Sequence, residues 1–222
     1  MKISKCRMCK SGNIEKYLDL GSTALADNFL LENQLKDIEL KYPLSVYICN
    51  NCGLSQLGFI VSPEKMFNEN YPYDSSTTNT GRTHFTKMGI DIVERFELKP
   101  EQLAIDIGSN TGVLLSGFKS KGLEVLGIEP SSNVAKIAKI NGIPTISEFF
   151  SNKLAKRVLE KQGKASVITG TNVFAHIDDL YDFVFGVKTL LSKKGILIIE
   201  APYFLNLLEN LEYDTIYHEH VS

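Results

Sequence analysis

The 222-residue chain has no tryptophan, no run of about twenty apolar residues and no excess of either charge. Each absence removes a class of protein. Without a long apolar run there is no sequence for a membrane-spanning helix. With 24 Lys and Arg against 26 Asp and Glu, the net charge of −2 supplies no polycationic face, so nucleic acid is not expected as a partner. The opening MKISKCRMCK lacks the apolar centre of a secretion signal, so the expected location is cytoplasmic. There is no internal repeat, and the only biased stretch is a short Ser/Thr patch after Tyr73. What remains is a chain that is 43% hydrophobic, enough for a packed core. Its length suits one large domain, or a large one with a small one.

Cysteine is also scarce, but it is placed with regularity. The four residues Cys6, Cys9, Cys49 and Cys52 form two C-x-x-C pairs, CRMC and CNNC. In a reducing compartment such thiols seldom end as structural disulfides. Two knuckles of two thiolates each make a tetrahedral sulfur cage, the pattern of a structural Zn²⁺ site. Small or turn-forming residues follow both knuckles (Ser11-Gly12 and Gly53), and the strand-like YPLSVYI precedes the second. Residues 1–66 therefore read as a zinc-ribbon-like β module with a long excursion between its halves. Redox C-x-x-C sites are the alternative, but these open a helix in a βαβ context that is missing here.

Residues 67–100 read as a polar linker, NENYPYDSSTTNT, followed by an amphipathic helix with Phe85, Met88, Ile92, Val93 and Phe96 on one face. From residue 101 onward strands and helices alternate: QLAIDIG, LEVLGIEP, IPTI, ASVITG and ILIIEAP are strands separated by helical segments. Short links between alternating elements predict parallel pairing, and so an α/β, doubly wound, mostly parallel Rossmann-like sheet of about five strands. Ligands of such sheets sit outside the carboxyl ends of the strands.

The first of these strands ends in DIGSNTG, where Asp106, Gly108, Asn110 and Gly112 surround a tight turn into a helix. A dinucleotide site wants G-x-G-x-x-G, and here Asn110 stands in place of the middle glycine. The next strand ends at Glu129, 21 positions after Gly108, where a carboxylate can accept both hydroxyls of a ribose. Asn172 and Val173, at the end of the fourth strand, fall on the same rim. One glycine turn, one ribose acid and one polar rim suit an adenosine ligand without a pyrophosphate. S-adenosylmethionine fits that description, with NAD as the alternative. His176 reads equally well as a packing or capping residue before Asp178-Asp179.

Taken in order, CRMC, CNNC, NENYPYDSS, DIGSNTG, GIEPSSNVA and YDTIYHEH resemble the nucleotide-sugar C-methyltransferases that carry an N-terminal zinc-binding domain, such as the TDP-4-keto-2,6-dideoxyhexose 3-C-methyltransferases. The resemblance covers nearly the whole chain. It implies an S-adenosylmethionine-dependent methyltransferase domain over residues 101–222, a small-molecule sugar-nucleotide substrate and a further C-terminal domain. Such a sheet would have seven strands, so the resemblance also implies a chain cut short inside its second domain. The implied chemistry is removal of a proton next to a ketone and attack of the enolate carbon on the sulfonium methyl. His220 is then the implied base, with Glu219 orienting or tuning it and Tyr217 donating to the enolate oxygen. Tyr73, with Tyr71 nearby, is implied at the reaction centre, and His218 has no role in the pattern. Two other readings stay open: a methyltransferase addressed to another small molecule or a macromolecule through its zinc module, and a cofactor-binding chain without turnover.

Overall fold

The computed structural model describes residues 2–212 and 215–221. The chain divides into two compact units: residues 1–67, 174–180 and 201–222 form one, and residues 68–173 and 181–200 the other.

The first unit is built on a three-stranded antiparallel sheet in the order β1 (Ile14–Thr23), β2 (Tyr42–Cys49), β3 (Ser55–Leu57). The strand read from YPLSVYI is β2. Its partner β1 carries few apolar positions and is largely exposed, so nothing in its period marks it as a strand. Leu44, Val46 and Leu57 make the small core, with Leu18 and Ile216 packed on it. A short helix, α1 (Pro63–Met66), starts at a proline, where the missing N–H leaves no bond unmade.

The second unit opens with the amphipathic helix read from the sequence, α2 (Asn79–Arg95), capped by the hydroxyl of Thr78, which accepts from the Gly81 amide at 3.0 Å. There follow β4 (Leu103–Ile107), α3 (Val113–Ser120), β5 (Glu124–Ile128), α4 (Ser132–Ile140), β6 (Thr145–Ile146), α5 (Asn152–Gln162), β7 (Ala165–Thr171), α6 (Leu180–Leu190) and β8 (Leu191–Glu200). The strands are all parallel, in the order β6-β5-β4-β7-β8. This is the doubly wound sheet expected from the alternation. One boundary differs: Leu191, Ser192, Lys193, Lys194 and Gly195, expected in the preceding helix, already belong to β8. Every residue of β4 is buried, as a central parallel strand covered on both faces requires. Ile92, Val93, Leu115, Phe118 and Val167 are among the residues that close one face of the core. Helices α2 and α3 meet where two glycines allow it, since a Cβ on Gly117 would stand 2.3 Å from the Thr86 carbonyl oxygen.

The division runs differently from the boundaries expected from the sequence. Residues 68–100, read as linker and helix, belong with the sheet. Residues 174–180 and 201–222, read as part of the sheet domain, belong with the cysteine-bearing unit. The latter include the 3₁₀ turn Phe174–His176 and α7 (Phe204–Glu209). Among the described residues no helix is long and apolar enough to cross a membrane.

Candidate functional site

The four cysteines gather as expected. Their sulfurs all lie within 4.8 Å of one another, with Cys6 to Cys52 and Cys9 to Cys49 both at 3.6 Å. A tetrahedron of Zn–S bonds of about 2.3 Å has edges of about 3.8 Å, so the cage fits a zinc ion. The two knuckles are built alike. The Cys6 amide donates to Ser11 O and the Cys49 amide to Leu54 O, while Lys10 N returns to Cys6 O and Gly53 N to Cys49 O. Lys10 (φ +60°) and Gly53 (φ +77°) take the left-handed conformation that closes each knuckle. Hydrogen bonding lowers the Cys9 thiol to about 6, led by the backbone at Ser11. The Cys52 thiol, against the backbone bond from Leu54, is pushed up to about 12 by burial and the neighbouring thiols, so the four sulfurs share their protons unevenly.

The residues named on the glycine turn meet at the carboxyl ends of β4, β5 and β7, three neighbouring strands. Gly108 has φ +69°, and a Cβ there would lie 2.4 Å from Val173 Cγ2, so Val173 abuts the turn. Gly112, at φ +79°, leads into α3. Glu129 is buried and accepts from two backbone amides, Asn110 N at 2.9 Å and Ser131 N at 2.8 Å, one on each oxygen. Each oxygen keeps a second lone pair for a ligand hydroxyl. Burial raises the pKa of Glu129, with those amides opposing the shift. Asp106 lies inside the sheet with its Oδ1 accepting from the Thr169 hydroxyl at 2.7 Å, and burial pushes its carboxyl up to about 7. Asn172 closes the far side: its amide donates to Glu200 O at 2.8 Å and its Nδ2 meets Glu200 Oε1 at 3.4 Å. The Ser131 hydroxyl is buried beside the Glu129 carboxylate and helps oppose its shift, and the Ser109 hydroxyl is buried against Gly127 of β5.

Asn110 does more than replace a glycine. Its Nδ2 donates to Tyr73 O at 2.9 Å, and its Oδ1 accepts from Ser75 N at 3.0 Å and Ser75 Oγ at 3.2 Å. Thr111 Oγ1 meets Asp74 Oδ1 at 3.2 Å, and Asn133 Nδ2, on α4, donates to Tyr71 O at 2.7 Å. Residues 71–75 are therefore a strap docked on the glycine turn and on the first turn of α4, not a free linker. With Asn110 so engaged at φ +49°, the turn lacks the bare backbone that a pyrophosphate needs. The Tyr73 side chain is exposed.

The segment bearing Tyr217, Glu219 and His220 is held in the first unit. Leu57 N donates to Val221 O, and Val221 N donates to Ala175 O. His218 is fully buried, with its Nε2 donating to Tyr42 O at 3.2 Å, and burial lowers its pKa. That makes His218 a core residue. His220 Nδ1 lies 2.9 Å from Thr215 O. A carbonyl only accepts, so Nδ1 carries the proton and Nε2 is the basic atom. The His220 ring lies between two others, stacked on His176 at 4.9 Å and 20° and tilted on Tyr217 at 4.5 Å. His176 Nδ1 in turn donates to Glu219 O at 2.6 Å. Thr215 thus holds His220 at Nδ1. The Glu219 carboxyl meets that of Asp27, and its pKa rises to about 7, mainly by burial, with the Asp27 charge and hydrogen bond adding to it. Burial, with the charges of Glu219 and Asp27, also raises the pKa of Tyr217.

Sequence reasoning expected the serines after Tyr73 to anchor that turn, as Ser75 does, but gave His176 no definite place and did not single out Thr215, Asp27 or Asn133. Thr215 enters through its backbone carbonyl and His176 through its ring face, neither of which leaves a residue pattern, and Asn133 is one polar side chain on the first turn of α4. Asp27 is one acid in an irregular excursion.

Residues 6–67 match the family described as “putative zinc binding domain”, and residues 82–222 match the family described as “methyltransferase domain”. The C-methyltransferase NovU of Streptomyces niveus is 34% identical over 220 residues, which are 99% of this chain and 52% of that protein. The chain thus spans about half the length of the curated relative it matches. Among solved structures, a SAM-dependent methyltransferase from Archaeoglobus fulgidus superposes with a TM-score of 0.50 at 16% identity, covering 62% of each chain. The plantazolicin methyltransferase BamL gives 0.48 at 20% identity, over 60% of this chain and 51% of that one. The five-stranded parallel sheet with its glycine turn and buried acid is the S-adenosylmethionine-dependent methyltransferase fold, and the chain, matched over residues 82–222, belongs to the methyltransferase domain family.

Proposed function

We propose that the chain transfers the methyl group of S-adenosylmethionine to a carbon of a 4-keto sugar nucleotide. The cofactor supplies an electrophilic methyl on a sulfonium. Gly108, Asn110, Gly112, Glu129, Asn172 and Val173 are the residues that would hold it, with Glu129 on the ribose and Asp106 supporting the turn from within the sheet. The zinc of the four-cysteine cage would be structural, since a closed cage leaves no coordination position for a substrate.

The observation that carries the carbon-directed reading is the state of His220. Carbon is not nucleophilic until a neighbouring ketone has lost an α-proton, so the enzyme needs a base of near-neutral pKa. The Thr215 carbonyl fixes the Nδ1–H tautomer and so leaves Nε2 basic. In this reading Nε2 takes the α-proton, and the electron pair moves into an enolate. Tyr217, kept protonated by its raised pKa, hydrogen-bonds the enolate oxygen. The enolate carbon accepts the methyl, and S-adenosylhomocysteine and the C-methylated ketone remain. Tyr73 positions substrate or cofactor through its hydroxyl. The name of the curated relative, a C-methyltransferase, supports transfer to carbon.

The test is methyl transfer to 4-keto sugar nucleotides, run beside calorimetry with S-adenosylhomocysteine and deuterium exchange in D₂O. His220→Asn should abolish both methylation and deuterium uptake next to the ketone while the cofactor product still binds. Methylation by that variant at near wild-type rate would assign the base elsewhere. Cofactor binding with neither transfer nor exchange in the wild-type chain would leave a binding protein.

A further inference from the structure

The two middle residues of the second knuckle, Asn50 and Asn51, are exposed, as such residues ordinarily are. The first knuckle breaks this symmetry. Arg7, covalently next to the zinc-cage residue Cys6, is only 6% exposed. Its backbone amide donates to Gln56 Oε1 at 2.9 Å, which sets the knuckle against β3. Its guanidinium Nη2 donates to two successive carbonyl oxygens, Ile177 O and, at 2.7 Å, Asp178 O, while Nε faces Asp178 Oδ1 at 3.6 Å. Those carbonyls directly follow the 3₁₀ turn Phe174–His176. That turn supplies two further contacts already described: His176 stacks on His220, and Ala175 O accepts from Val221 N.

Burying a cation is unfavourable, and burial lowers the pKa of Arg7 although Asp178 opposes the shift. A residue that only filled space would be apolar here. The planar fork instead grips two adjacent carbonyls, which a lysine ammonium on its flexible stem holds less rigidly. The contacts run unbroken within one unit from a zinc-cage cysteine through Arg7 to residues 177 and 178, then to His176 and His220.

We propose that Arg7 is a positioning residue that transmits the geometry of the zinc-holding knuckle to the His176–His220 pair. It rests on the reading of His220 as the base only for its catalytic consequence; the structural link is tested separately. Zinc then serves the reaction although no reacting group touches it.

The experiment uses the zinc-loaded full chain and its imidazole NMR signals. There are four histidines, and signals are assigned by single His→Asn variants. In Arg7→Met, the His176 and His220 signals should lose the ring-current shift of the stacked pair, and His84 should stay in place. Zinc should remain at one per chain, and S-adenosylhomocysteine affinity should stay within about twofold. Arg7→Lys should move the same two signals part of the way. If methylation is observed, kcat should fall about 10- to 100-fold in Arg7→Met, the scale of loss for a misplaced reacting group, with the KM for S-adenosylmethionine unchanged. Wild-type His176 and His220 signals in zinc-loaded Arg7→Met overturn the proposal. If that variant does not fold, unmoved His176 and His220 signals in zinc-loaded Arg7→Lys overturn it. Shifted signals in a protein whose His220→Asn variant still methylates uphold the structural link and refute the base assignment alone.

Discussion

Replacing Asn110 by glycine undocks the strap at residues 71–75, and also removes the bond that Asn110 Oδ1 accepts from Thr111 N at 2.9 Å within the turn. Glycine accepts the φ of +49° without strain, and the backbone amide can still reach Glu129. What is lost is the side chain, which makes three bonds to the strap: one to Tyr73 O and two from Ser75. At about 0.5–1.5 kcal/mol each, these sum to about 1.5–4.5 kcal/mol. The freed strap and the relief of a non-glycine residue from the left-handed region offset part of this. The net loss should be about 1–3 kcal/mol, or about 3–10 °C in melting temperature for a chain of this size. Asn110→Ala should be worse by about 1 kcal/mol, because it loses the same bonds and keeps the strained φ. The sharper assay is limited chymotrypsin cleavage at Tyr71 and Tyr73. When opening is fast, cleavage follows the open population, so glycine should speed it by about 5- to 100-fold. A glycine variant that is cleaved and melts like the wild type would refute the idea that Asn110 docks the strap.

Gly108→Ala should destabilise by about 2–4 kcal/mol, from left-handed strain plus the close approach to Val173, whose branched side chain has few rotamers to escape into. Adding Val173→Ala should restore the steric share and give a coupling of about 1–2 kcal/mol in urea unfolding; strictly additive losses would place the strain elsewhere. For Asp106 the folded pKa, about 7, lies above the unfolded value, so the folded state holds its proton more tightly. The stability this contributes is full below about pH 4 and is lost as pH rises towards 7. Asp106→Asn should therefore match the wild type at pH 4 and exceed it by up to about 4 kcal/mol at pH 8; a constant difference across that range would show that Asp106 is not the titrating group. Purified without chelator, the chain should carry one zinc by elemental analysis. Chelation should melt the β1–β3 unit, followed by amide exchange, before the parallel sheet; no bound metal would rule out the cage.

Much of this protein is written in its sequence because the determining physics is local. Two C-x-x-C pairs specify a sulfur cage wherever the chain between them goes, and the folded knuckles repeat one turn geometry. Alternating apolar strands and capped helices specify a parallel sheet, and Gly108, Gly112 and Glu129 follow from where its strands must end. The polar period of β1 hid a strand, and the lysines at 193 and 194 hid the start of β8. Tertiary structure alone decided the rest. It docked residues 71–75 on Asn110 and Asn133 largely through the strap's backbone atoms, which every residue type carries alike. It also joined residues 174–180 and 201–222 to the cysteine-bearing unit. There Thr215 O sets the tautomer of His220, Asp27 meets Glu219, and Arg7 grips the turn that carries His176. These partners stand up to about 190 positions apart and meet only because β-sheet pairing and burial bring them together, and contacts of that kind impose no period or spacing on a sequence.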